Sequence, residues 1–185
     1  MIDDVMLEAE DKMERALEAA KHELAAIRTG RANPAMFNQI LVDYYGAPTP
    51  LQQLASLTIP EARTVIVSPF DRSAMKAITT AIRESDLGVN PTDDGTIIRV
   101  TLPALTEERR RDYVKLARNR AEESRIQVRG IRGKSKKELE AIKKDGGAGE
   151  DEVKRAENEL DALTRRFVEK IDAALAAKES ELLEV

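Results

Sequence analysis

The 185-residue sequence predicts an α+β protein: an elongated, L-shaped antiparallel three-helix bundle with a small β/α/β domain inserted into it. Three observations carry that prediction. Apolar residues recur at helical spacing through the first 28 residues and again from about residue 106 onward. All 7 prolines lie between Pro34 and Pro103, among short β-rich runs. Finally, the chain is 35% charged and only 3% aromatic, which suits long solvated helices with aliphatic seams better than a thick globular core.

The first helix is expected from about Asp3 to Arg28, because Met6, Ala9, Met13, Leu17, Ala20, Leu24 and Ile27 alternate in steps of three and four. The inserted domain, about Gly30 to Leu105, carries β-rich runs at Asn38–Tyr45, Thr64–Ser68 and Thr96–Leu102. Asp94-Gly95 reads as a hairpin-type turn before the last of them. One helix lies inside the domain, capped by Asp71 and apolar at Ala74, Ile78 and Ile82. The second long helix starts near Thr106, where Thr106-Glu107-Glu108 supplies an N-cap and acids in the first turn. Its seam is Val114, Ala117, Ala121, Ser124, Val128, Ile131, Ser135 and Leu139. The third carries Val153, Ala156, Leu160, Leu163, Phe167, Ile171, Ala174 and Leu182, and Asp145–Gly149 is the turn between the two. At 1.5 Å per residue the first two helices come to about 39 Å and 57 Å.

This order divides the chain into a bundle, residues 1–29 and 106–185, and an insertion, residues 30–105. Both ends of the insertion meet one end of the bundle. Two adjacent linkers, Thr29-Gly30-Arg31 and Leu102-Pro103-Ala104-Leu105, are therefore expected to form a hinge.

Composition excludes several function classes. There is no Cys and a single His, which removes thiol nucleophiles, disulfides, Fe–S clusters and Cys/His zinc sites. The count leaves a carboxylate-bound Mg²⁺ open. His22 lies off the first seam and has no companion ligand, so a surface position is expected. Tyr44-Tyr45 reads as a strand pair flanking a turn, with an exposed protein contact as the alternative, and Asp93-Asp94 reads as turn chemistry. Gly133-Lys134-Ser135 resembles the end of a P-loop, but Val128 stands where the pattern requires Gly and the segment is mid-helix. No nucleophile–base–acid set can be assembled, so neither an enzyme nor a cofactor is expected. The acidic start, Met1-Ile2-Asp3-Asp4, is unlike a signal peptide, and no apolar run of about 18 residues exists. The expectation is a cytoplasmic monomer.

The net charge of −4 conceals a strong segregation. Residues 109–144 hold 14 Lys/Arg against 5 Asp/Glu, whereas residues 145–185 hold 6 against 12 and residues 1–29 hold 4 against 8. Two readings follow: the oppositely charged helices pair with each other, or the basic one meets phosphate. Arg118, Arg125, Arg129, Arg132 and Lys136 form one stripe beside the apolar seam. Gly130 and Gly133 lie next to it, and two glycines within a helix cost roughly 1 kcal/mol each relative to Ala. Either a second helix packs closely over them, or bare backbone admits a phosphate ribbon that arginines grip. At Arg28-Thr29-Gly30-Arg31, Arg28 is expected to cap the first helix or to touch RNA.

Arg28-Thr29-Gly30-Arg31-Ala32, Ser68-Pro69-Phe70-Asp71, Leu87-Gly88-Val89-Asn90-Pro91 and Arg125-Ile126-Gln127-Val128-Arg129-Gly130-Ile131-Arg132 resemble the bacterial ribosome recycling factor family, in order and over nearly the whole chain. The resemblance implies a three-helix bundle with an inserted domain, shaped roughly like a tRNA. It implies binding in the tRNA path of the post-termination ribosome and, with elongation factor G and GTP, splitting of the subunits with release of mRNA and tRNA. Ribosomal RNA contacts would fall on the bundle, at Arg129 and Arg132 with Arg28 and Arg31, joined on the stripe by Arg125 and Lys136. The inserted domain would face elongation factor G. The competing class is a helical coiled-coil adaptor or holdase that binds protein.

Overall fold

A computed structural model describes residues 1–184. In chain order, α1 (Ile2–Ala25) leads through a 3₁₀ turn at Pro34–Phe37 to β1 (Leu41–Tyr44), β2 (Ala47–Pro50) and the single turn α2 (Leu51–Leu54). β3 (Ala55–Glu61), β4 (Thr64–Pro69), a 3₁₀ turn at Arg72–Ala74, α3 (Met75–Arg83), β5 (Thr92–Asp93) and β6 (Ile98–Thr101) follow. The chain ends in α4 (Glu107–Lys144) and α5 (Glu150–Leu183). It forms two compact units: Met1–Leu24 with Leu116–Lys178, and Ala25–Lys115 with the residues from Glu179 on.

In the first unit, segments of the three long helices bury one shared seam. Ala9, Met13, Leu17, Ala121, Val128, Leu139, Leu160, Phe167 and Ile171 are its fully enclosed members. On α1 the buried residue of the first turn is Val5, with Met6 at the margin, so the seam drifts by one position where 3.6-residue geometry departs from the heptad. α4 stops where its sequence directs. Gly146 takes a left-handed φ of 76°, its N–H donates to Lys143 O, and the Gly147 N–H donates to Ile142 O, a Schellman arrangement. A Cβ at Gly147 would lie 2.5 Å from Met1 Cε, the end of a flexible, exposed side chain that can move aside.

The second unit holds an antiparallel sheet in the order β3-β4-β6-β5, the separate β1–β2 hairpin, and α3. Phe37, Val42, Leu51, Val65, Val67, Ile78, Ile82, Ile98 and Val100 form its core. Asp71 caps the turn before α3, accepting from Ser73 N at 2.9 Å, and Ala74, Ile78 and Ile82 face inward as their spacing requires. Asp94 accepts from the Thr96 and Ile97 amides, closing the β5–β6 turn. The β1–β2 hairpin closes through Tyr45 and Gly46, both at positive φ (51° and 82°).

Three features depart from the sequence expectation. β3 is a strand despite Pro60, because it lies at the sheet edge and its register shifts between Thr58 and Glu61, so the missing N–H removes no ladder bond that a neighbour needs. The Asn38–Tyr45 run contributes only β1, as Asn38 closes the preceding 3₁₀ turn. α1 ends at Ala25, not near Arg28. The expected linkers lie wholly within the second unit, where both are stitched to the β3–β4 turn. Ala32 N donates to Ala62 O and Leu102 N to Arg63 O, each at 2.7 Å.

Candidate nucleic-acid interface

Of the residues expected to meet RNA, Arg125, Arg129, Arg132 and Lys136 sit in the first unit and Arg28 and Arg31 in the second. α4 begins as expected, with Thr106 Oγ1 accepting from Arg109 N at 3.1 Å, and it runs unbroken through both glycines. Residues 126, 130 and 133 share one helix face. Ile126 is 60% exposed, and a Cβ added at Gly130 or Gly133 would meet nothing within 4 Å. The strip is therefore open backbone on the surface. Close helix packing, one of the two explanations for these glycines, is absent.

Arginines border the strip in graded states of engagement. Arg125 donates Nε to Asp172 on α5 at 2.7 Å and Nη1 to Glu122 at 2.9 Å, with its side chain 18% exposed. Burial opposes its charge, but those two carboxylates outweigh it and hold the group more firmly protonated. Arg132 pairs with Asp161 at 3.1 Å and Arg129 reaches Glu122 at 3.8 Å, and both stay substantially exposed. Lys136 is half-buried. The pairing reading of the charge segregation thus holds for these arginines. α5 carboxylates brace the inner arginines, and exposed pairs of this kind add only about 0–1 kcal/mol. Arg129 and Arg132 keep 52% and 40% of their side-chain surface exposed. Asp161, Asp172 and Glu122 escaped the sequence reading; the signal was available, since Arg125–Asp172 and Arg132–Asp161 straddle the turn at 145–149 nearly symmetrically.

In the second unit Arg31 is exposed, and its carbonyl accepts from Thr29 Oγ1 at 3.1 Å. Arg28, expected as a helix cap or an RNA contact, lies beyond the end of α1 and turns its side chain into the second unit. It is 6% exposed, and its Nη1 donates to Leu87 O at 3.1 Å while Nη2 donates to Pro103 O. Burial lowers its pKa, partly offset by the Tyr113 hydroxyl beside it. Gly30, expected to supply hinge freedom, has no left-handed φ, and among the described residues a Cβ there would meet only Glu184 O within 4 Å, at 3.9 Å.

The same unit exposes Tyr45 (80%) and Phe70 (71%). Tyr45 OH lies 3.2 Å from Ser73 Oγ, and Tyr44 OH donates to Asp71 at 2.8 Å. Hydrogen bonds from Ser73 and then Tyr44 hold the Asp71 carboxyl below the usual carboxylate range. Its stabilising contribution is present above the unfolded carboxylate pKa and is lost as the pH falls through the lower folded one. Tyr44→Phe is expected to move the Asp71 titration upward, which carboxyl ¹³C NMR against pH reads directly. An unmoved titration would show that Ser73 alone sets it.

Among the described residues no group of three His, Asp or Glu side chains stands close enough to hold a metal ion, and no helix is long and apolar enough to cross a membrane.

Fold and surface together define a helical scaffold protein with an inserted α/β unit and an open, arginine-bordered helix face. Comparison with known proteins makes this specific. The chain belongs to the ribosome recycling factor family, whose profile matches residues 20–183. It is 63% identical to the ribosome-recycling factors of Kineococcus radiotolerans and of Beutenbergia cavernae, over the full length of all three chains. A solution structure of ribosome recycling factor superposes with a TM-score of 0.76 at 42% identity, over 100% of this chain and 98% of that one. A second, the Thermus thermophilus factor placed with Escherichia coli elongation factor G on the post-termination complex, gives 0.69 at 43% identity over the whole of both chains.

Proposed function

We propose that this protein recycles ribosomes after termination, seating the open face of α4 on ribosomal RNA in the tRNA path and acting with elongation factor G and GTP to split the subunits. The single observation carrying the RNA contact is the exposed Gly130–Gly133 strip. A long helix gives up roughly 1 kcal/mol at each glycine with nothing inside the protein to offset it. A phosphate ribbon approaching within backbone distance, gripped by Arg129 and Arg132 with Lys136 and the braced Arg125 behind them, supplies the missing term. Arg31 adds a contact from the second unit. Arg28 acts from within, as a strap.

In this reading the protein performs no covalent chemistry, works as a cytoplasmic monomer, and lends the GTPase a lever. The joint comprises Thr29, Gly30 and Arg31 with Leu102, Pro103, Ala104 and Leu105, and the unit bearing Tyr45 and Phe70 faces the elongation factor.

Light scattering of post-termination ribosomes tests this. A fall is expected only when this protein, elongation factor G and GTP are all present, with ribosome affinity dropping steeply between about 50 and 200 mM salt. No fall with a cognate GTPase supplied, or an affinity indifferent to salt, would favour the protein-binding adaptor.

A further inference from the structure

We propose that Arg28 is a positioning residue of the joint: a buried guanidinium that clasps the two linkers together, so that they move as one, and that never touches RNA. The inference rests on the recycling reading for its functional arm only.

Arg28 joins three stretches of chain that are remote in sequence. It leaves the segment after α1, reaches Leu87 O in the turn beyond α3, 59 residues away, and reaches Pro103 O in the second linker, 75 residues away. Its burial is nearly complete, and among the described residues the charged or titratable groups acting on it are Tyr113 and Arg109, with no carboxylate. A desolvated cation without a counter-ion is retained only where its hydrogen bonds accomplish something that a neutral side chain cannot. Here that is geometry. A planar fork with several donors spans two carbonyls at once, whereas an ammonium is a point donor on a flexible stem. Proline contributes a carbonyl but no N–H, so Pro103 enters the clasp only as an acceptor. The remaining stitches, Ala32 to Ala62 and Leu102 to Arg63, flank the clasp and complete a knot around both linkers. Consistent with this, Thr29 and Leu102 are buried. Covering Arg28 so completely denies it to a phosphate, and that separates it from Arg31, exposed three residues later.

Two measurements on the free protein test the clasp. In the wild type, ¹⁵N NMR of the Arg28 guanidinium is expected to show hindered rotation and slowly exchanging Nη protons, unlike those of Arg31. Rotationally averaged Arg28 signals would overturn the proposal. In Arg28→Lys, hydrogen exchange at the Ala32 and Leu102 amides is expected to quicken about fivefold, the worth of one lost hydrogen bond, while Arg132→Ala leaves those amides unchanged. Unchanged exchange in Arg28→Lys would likewise overturn it.

Subunit splitting then separates a clasp from an RNA contact. Arg28→Lys is expected to lower the maximal rate with the half-saturating concentration of factor held constant. A raised half-saturating concentration at an unaltered maximal rate would make Arg28 an RNA contact and refute the clasp. If the wild-type protein split no ribosomes at all, the recycling reading would fall while the NMR and exchange results still judged the clasp.

Discussion

Gly130→Ala/Gly133→Ala is expected to melt at a higher temperature than the wild type and to recycle worse. Both positions are mid-helix on the solvent face of α4, with open space where each Cβ would go. The substitution therefore meets no steric objection and removes the entropy cost of glycine. Each change is worth roughly 1 kcal/mol, and the pair should raise Tm by about 4–8 °C for a chain of this size. The same two methyl groups would hold a phosphate ribbon off the backbone by about 1.5 Å, one C–C bond length. A loss of even 1.4 kcal/mol of binding corresponds to about tenfold in half-saturating concentration. Thermal unfolding and ribosome titration on the same preparation check the pair of effects. A variant that gains stability and keeps its affinity would leave the glycines unexplained and take away the observation on which the RNA contact stands.

Arg132→Ala is expected to leave the fold intact while costing about 10- to 100-fold in ribosome affinity. Its partner Asp161 is half-exposed, and truncating one side of such a pair changes stability by about 0–1 kcal/mol. A charge-assisted contact to phosphate is worth about 1.5–3 kcal/mol and releases a counterion. The slope of log affinity against log salt should accordingly shrink by about one. Asp161→Ala separates bracing from contact. Freed of its partner, Arg132 keeps its charge, so affinity should fall less than in Arg132→Ala. Equal losses in the two variants would mean that the pair, rather than the cation, is what the partner reads.

Much of the fold was legible in the sequence because its signals are local. The α4 cap at Thr106, the Gly146 stop, the apolar seams of the three helices and the Asp94-Gly95 turn each depend on residues within a few positions of one another. β3 was not legible, since Pro60 argues against a strand until an edge position and a register shift make it harmless. Of the candidate site, the stripe was readable as periodicity, and so was the anomaly of its two glycines. Which arginines remain available was not readable. Arg125 and Arg129 look alike in sequence, yet a carboxylate on α5 occupies the first and leaves the second largely exposed.

The sequence by itself determined the helices, their caps and stops, the segregation of charge and the presence of bare backbone amid arginines. All of these follow from spacing along one chain segment. The tertiary structure alone decided that Arg28 is buried and bonded to the Leu87 and Pro103 carbonyls, that the supposedly loose linkers are stitched to Ala62 and Arg63, and that, among the described residues, no helix covers Gly130 and Gly133. The physical reason is one and the same. Burial of a side chain, and the partner of a hydrogen bond donor, are set by residues brought together from 59 and 75 positions away, and no local pattern encodes that meeting.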